Sequence, residues 1–261
     1  MRAFGLVMLS ASALLGAEAP DLTQTQIDEI IQKFAAREAE FAKARENYTY
    51  RQTARVQALD QAGTTLGRWE EVSDIIFDRG AKRTERVLRA PVSTLGNYLN
   101  LTPEDLEDLR SVQPFVLTTT DLPKYLIRYL GKETLDEISC YAFAVKPKKQ
   151  EPGQRYFQGI VWVDDRDLQI VKSYGRGTGI VKKGNEFPKF ETFREQIDGK
   201  YWFPTYTIAN DTLHFQERDQ RIRETVRYED YKRFSADVSI TFSTELDSEA
   251  KPKQPASPKK P

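Results

Sequence analysis

The chain has few of the residues on which much enzymology depends. Its 261 residues include one cysteine, Cys140, and one histidine, His214. A single cysteine excludes an intramolecular disulfide. A zinc site needs more His or Cys than this, and a Ser-His-Asp triad would have to use the one imidazole. Cys140 sits in the apolar run "ISCYAFAV", the setting of a buried, inert thiol rather than a nucleophile. His214 sits in "DTLHF", a strand pattern in which a lone His is a structural or surface residue. Net charge is missing too. Lys+Arg and Asp+Glu stand at 39 each, so no global field draws the protein to nucleic acid or an anionic membrane. No apolar run reaches the roughly 20 residues of a transmembrane helix.

Aromatic residues are plentiful: fourteen Phe, twelve Tyr and three Trp, enough apolar material to build a core. The first residues, "MRAFGLVMLSASALLGAEAP", follow the plan of a secretory signal. Arg2 precedes an apolar run from Ala3 to Leu15, and small residues follow at Gly16, Ala17 and Ala19. Cleavage is expected near Ala17 or Ala19; the second site would leave Pro20 first, which is disfavoured. A lone arginine before the apolar run argues against twin-arginine export. The mature protein is expected in the periplasm, with no transmembrane span. The organisation is a signal over 1–19, a folded domain over 20–246 and a Lys/Pro-rich tail over 247–261. The tail, "EAKPKQPASPKKP", has nothing to bury and is expected to be disordered.

After the signal, apolar residues at Ile27, Ile30, Ile31, Phe34 and Phe41 recur at the spacing of an amphipathic helix, with Thr25 and Asp28 as a capping pair. The period then changes to two. "YTYRQTARVQAL" alternates, and "RWEEVSDIIFD" and "KRTERVL" read as further strands. In "LTPEDLEDLR", Thr102 suits an N-cap and Pro103 the first helical position. Beyond it, "KYLIRYL" and "CYAFAV" read as strands separated by a turn at Gly131-Lys132, and β-rich segments continue to "VSITF". Roughly ten strands on short turns, with two or three helices, imply a mainly β, antiparallel α+β fold.

"RYFQGIVWVDDRDLQIVKSYGRGTG", residues 155–179, has the most site-like composition in the chain. Its glycines do not form a dinucleotide loop, because no helical period follows them. They mark a loop or a tight turn. "DDRD" lacks the spaced ligands of a calcium loop. The segment reads as a hairpin turning at Asp165-Arg166-Asp167. A second hairpin turns at Asp198-Gly199, a preferred type I′ pair, which sets Ile197 opposite Lys200 and Phe193 opposite Pro204. Pro204 points to an edge strand or a bulge. Carboxylate pairs such as Glu70/Glu71 or Glu191/Glu195 are no more than expected among 39 acidic residues.

A signal, one amphipathic helix, "YTYRQT", a run of antiparallel strands, a mid-chain helical insertion and "WVDDRDLQIVK" together resemble the LolA-like family of lipoprotein carriers and lipoprotein-sorting proteins. "FPKFETFREQIDGKYWFPTYTIANDTLHF" and "YEDYKRF" are similar to its sorting-protein-like branch described from acidobacteria. The resemblance spans about residues 22–242. It implies an open antiparallel half-barrel whose concave apolar face is covered by helices and accepts acyl chains. It implies a non-enzymatic protein without cofactor or metal, whose partners are lipids or lipoprotein acyl chains, or an envelope protein as in RseB-type regulators. The family's carriers use an Arg-Pro pair to hold the helical lid. Arg79 and Arg83 lie near that place, but neither is followed by Pro. Strand alternation then selects Tyr48, Tyr50, Val56, Phe143, Ile160, Trp162, Phe193 and Trp202 as inward-facing candidates for a cavity lining.

Overall fold

A computed structural model describes residues 22–77, 82–182 and 184–234. The expected signal, the "VSITF" segment, the Lys/Pro-rich tail and Arg79 lie outside the described residues.

Helix α1 (Gln24–Arg45) leads into three strands joined as hairpins, β1 (Tyr48–Leu59), β2 (Thr65–Phe77) and β3 (Arg83–Arg89). A long crossing then contains the short helix α2 (Pro103–Glu107), a π-type turn over Asp108–Val112 and a 3-10 turn over Leu122–Lys124. Seven strands follow: β4 (Tyr125–Leu135), β5 (Ile138–Pro147), β6 (Tyr156–Asp164), β7 (Ile170–Thr178), β8 (Phe190–Ile197), β9 (Tyr201–His214) and β10 (Asp219–Arg233). All ten form one open antiparallel sheet in the order β3-β2-β1-β10-β9-β8-β7-β6-β5-β4. The fold is therefore the mainly β, helix-covered open sheet expected.

The strand order explains the crossing. β3 is one edge of the sheet and β4 is the other, so residues 90–124 must traverse the full width. They do so on the face that also receives α1. Leu95 packs on Val56 and Ala58, Leu109 on Tyr50 and Ala54, and Phe115 on Phe157 and Tyr125.

Local chemistry accounts for the ends of the elements. α1 is capped by Thr23, whose side chain accepts from the Gln26 amide while Gln26 reaches back, so the capping box starts two residues earlier than Thr25. α2 has the expected cap on Thr102, with Pro103 in its first turn. Gly131 is not a turn residue. β4 runs through it to Leu135, with the register shifting between Tyr129 and Gly131, and the chain reverses at Asp136 with φ of 53°. The Asp198 hairpin also departs from expectation. Ile197 pairs with Tyr201 and Arg194 with Pro204, because Asp198, Gly199 and Lys200 form a three-residue loop and a bulge follows Phe193. Pro204 thus sits next to the bulge, whose extra residue is Thr205, in an interior strand.

Of the glycines in the 155–179 segment, Gly159 lies within β6, Gly175 and Gly177 within β7, and Gly179 just past its end. A Cβ on Gly175 would overlap the Gln158 carbonyl, and one on Gly177 would overlap the Asp108 carboxylate. Gly175 thus lets β6 and β7 approach closely, and Gly177 lets the crossing settle directly on the sheet.

Candidate functional site

The site is the apolar face of the sheet beneath α1 and the crossing. Alternation along each strand assigns its members. Phe143 and Val145 of β5, Phe157, Val161 and Val163 of β6, Ile170 of β7 and Phe190 of β8 are buried in one cluster with Phe34 and Ala35 of α1 and Phe115 and Leu117 of the crossing. Phe34 meets Phe143 with ring centroids 5.3 Å apart, and Phe115 stacks on Phe157 at 4.4 Å. Further along α1, Phe41 packs edge-on against Phe203, which also meets Tyr48. The trough is filled by the chain's own side chains.

Two polar clasps cross this apolar interface. Glu38, fully buried on α1, accepts from Nη1 of Arg194 at 3.2 Å and from the backbone amide of Ile170 at 3.0 Å. Arg194 also donates to the Phe115 carbonyl, and its guanidinium lies 5.2 Å from the Phe41 ring centroid. One β8 arginine therefore holds α1 and the crossing together. Burial pushes the Glu38 carboxyl above its ordinary range, while Arg194 and the Ile170 amide pull it back. The second clasp belongs to the crossing. Gln113 donates to Glu224 of β10, its carbonyl accepts from Thr192, and Thr192 continues to Thr207. Asp108 takes two hydrogen bonds from Arg155, at 2.7 and 2.6 Å. Burial raises the Glu224 carboxyl to about 7 and the Asp108 carboxyl to about 6, the latter against the pull of Arg155.

The eight lining candidates divide between the two faces. Tyr48, Tyr50, Val56 and Phe143 lie on the covered face, against α1 or the crossing. Ile160, Trp162, Phe193 and Trp202 lie on the opposite one, which corrects their inward assignment. Trp162 stands beside Ala142, Cys140 and Trp202, donates from its indole to Glu133 at 2.8 Å, and shares Lys172 with Phe193. The misreading has a clear cause: β6 is apolar at consecutive positions, so alternation could not say which half faced the helix. Arg83 bonds Gln52 at 3.1 Å and pairs with Glu85, which also binds Arg110 of the crossing. Its links run to the crossing rather than to α1. Cys140 is buried and its thiol raised to about 11, whereas His214 pairs with Asp219 at the exposed end of the β9–β10 hairpin.

Glu38 and Arg194 were missed, although a signal existed. Glu38 falls on the stripe of Phe34 and Phe41, where an isolated charge requires a buried partner. Among the described residues, no group of three or more His, Cys, Asp or Glu is placed to hold a metal ion. Nor is any described helix long and apolar enough to cross a membrane.

No protein-family model matches the chain, and no curated protein matches it. Solved structures do. A DUF1329 family protein from Desulfovibrio piger matches with a TM-score of 0.40 at 15% identity, over 81% of this chain and 94% of that one. A LolA superfamily protein from Nitrosomonas europaea matches with a TM-score of 0.37 at 14% identity, over 79% and 93%. A domain named for outer membrane lipoprotein sorting, from Vibrio parahaemolyticus, matches with a TM-score of 0.34 at 12% identity, over 76% and 92%. The structures this chain is similar to thus include proteins carrying the LolA and lipoprotein-sorting names that its sequence resembles.

Proposed function

We propose that the protein is an exported, non-catalytic carrier or binding protein for lipids or lipoprotein acyl chains, acting in the periplasm in outer-membrane lipoprotein sorting. One observation carries this reading: the apolar face of the sheet is covered by a helix at the start of the described chain. α1 joins the rest of the described chain only through its C-terminal connection to β1, and a single ion pair, Glu38–Arg194, anchors its middle. Displacing it would uncover Phe143, Val161, Ile170 and their neighbours as one surface. Each methylene buried there contributes about 0.8 kcal/mol, so an acyl chain could replace much of what Phe34 and its neighbours contribute. The test is binding of an environment-sensitive fatty-acid probe and its displacement by lipids. Phe143→Glu should weaken binding and Trp162→Glu should not, provided both variants keep their β-sheet signal. A wild-type protein that binds no probe contradicts the reading.

A second reading is favoured by the filling of the trough. A protein whose groove is occupied by its own aromatics fits an RseB-type interaction module that binds another envelope protein through its surface. Crosslinking that recovers a protein, from a chain that carries no lipid out of its own periplasm, would favour it.

A further inference from the structure

A separate cleft opens where the crossing meets the end of the β9–β10 hairpin. Its outer vestibule, about 700 Å³, lies between Tyr98 and Leu99 of the crossing and Phe215 and Arg218 of the hairpin. Leu99, Asn100 and Phe215 also border an inner chamber of about 50 Å³. That space admits about four water-sized groups, enough for the end of one side chain.

The chamber has an unusual charge balance. Its walls are aliphatic: Val56, Leu101, Leu213 and Ile222. It also carries three carboxylates, Glu224, Asp105 and Glu186, and among the described residues no lysine or arginine lines it. Glu224 is only 7% exposed. One of its oxygens accepts from Gln113, and the other has no partner among the described residues. Asp105 is occupied on one oxygen by the amide and hydroxyl of Thr102, at 2.7 and 2.8 Å. Arg155, whose charge acts on Asp105, is itself held by both oxygens of Asp108. No cation stands beside Glu224 among the described residues, and a cation placed there would stabilise its charged form, which burial disfavours.

We infer that this cleft is a binding site for a primary alkylammonium group, and that its occupant is a lysine side chain presented by a partner polypeptide. The shape matches the chemistry. An aliphatic stem would pass between Leu99 and Phe215, with its ammonium meeting the free oxygen of Glu224 and Asp105. The vestibule is wide enough for backbone, and Asn100, Asn185 and Gln216 there can hydrogen-bond peptide amides. A fatty-acid carboxylate or a phosphate would be repelled by the same walls. The inference therefore stands apart from the acyl-chain reading, and either can fail alone.

The test uses the full chain and three acetylated, amidated tripeptides, Gly-Lys-Gly and its Nε-acetyl-lysine and norleucine counterparts, titrated by calorimetry. The lysine peptide should bind, and each counterpart should bind about tenfold or more weakly, as expected on losing a charge-assisted hydrogen bond. Glu224→Gln should lower lysine-peptide affinity by a similar factor, and Asp105→Asn supplies an independent variant should the first not fold. Equal binding of all three peptides, no binding of the lysine peptide, or undiminished binding by both folded variants would overturn the inference. A further arm replaces Lys251, Lys253, Lys259 and Lys260 with Gln in the full chain. Unchanged affinity supports an external partner, whereas a clear gain would make this chain's own lysines the occupant and overturn the partner.

Discussion

α1 and the 90–124 crossing cover the same face of the same sheet, yet they are fastened by different means. α1 is held by aromatic and aliphatic contacts around one fully buried ion pair, Glu38–Arg194. The crossing adds to its own apolar contacts, through Leu95, Leu109 and Phe115, a series of polar ones, Gln113–Glu224, Gln113–Thr192 and Asp108–Arg155, with a water-accessible cleft at its border. The difference concerns what can release each cover. An apolar surface can be competed away by another apolar surface, whereas a carboxylate raised toward neutrality responds to pH and to cations.

Removing the centre of the α1 clasp should have the largest effect. Arg194→Ala leaves Glu38 buried without its cation, and denaturant melts should show a loss of about 3–5 kcal/mol. The pair Glu38→Leu/Arg194→Met should recover most of that loss, since similar-sized apolar groups can replace a buried ion pair. A trivial cost for Arg194→Ala would erase the distinction between the two covers.

The crossing should instead show its character through pH. The folded Glu224 carboxyl titrates near 7, against an ordinary value of 4.5. As pH rises between those values, the unfolded chain releases its proton first and gains relative to the folded one. Stability should therefore fall from about pH 4.5 to pH 7 and then level off, by up to about 3 kcal/mol from this group. Asp108, raised to about 6, acts in the same direction at a lower range. Glu224→Gln should flatten the upper part of this profile, and urea melts across the range would show whether it does.

Gly177 tests the seating of the crossing on the sheet. Gly177→Ala would push the new methyl group into Asp108 and should cost about 1–3 kcal/mol, the usual range for overpacking. It should also steepen the pH profile if the Asp108–Arg155 pair is displaced. The smallest effect belongs to the uncovered face. Lys172 lies 5.3 Å from the Trp162 ring centroid and 5.0 Å from that of Phe193, with its side chain 20% exposed. Lys172→Ala should shift thermal melts by less than the equivalent of about 1 kcal/mol.

Much of the architecture could be read from residue patterns. The 3.6-residue stripe of Ile27, Phe34 and Phe41 marked α1, strict alternation over 48–59 marked β1, and Thr102-Pro103 marked the start of α2. These are local signals, and local physics decides them. The site was less legible for a related reason. β6 is apolar on both sides, so Trp162 and Val161 could not be assigned to faces without knowing where the helix lay. The Asp198 hairpin slipped by one residue because its loop holds three residues, so that Ile197 pairs with Tyr201, and the extra residue Thr205 shifts the pairing again beside Pro204. Partnerships such as Glu38 with Arg194, 156 residues apart in the chain, have no local signature beyond a charge on an apolar stripe.

The central claim is that α1 is a displaceable cover over an acyl-binding surface. Amide hydrogen exchange over 24–45, with and without saturating fatty acid, tests it most directly. The account predicts that the ligand lowers protection along α1, most at Phe34 to Phe41, while the crossing keeps its own. Protection of α1 that is unchanged or raised at ligand saturation would contradict it.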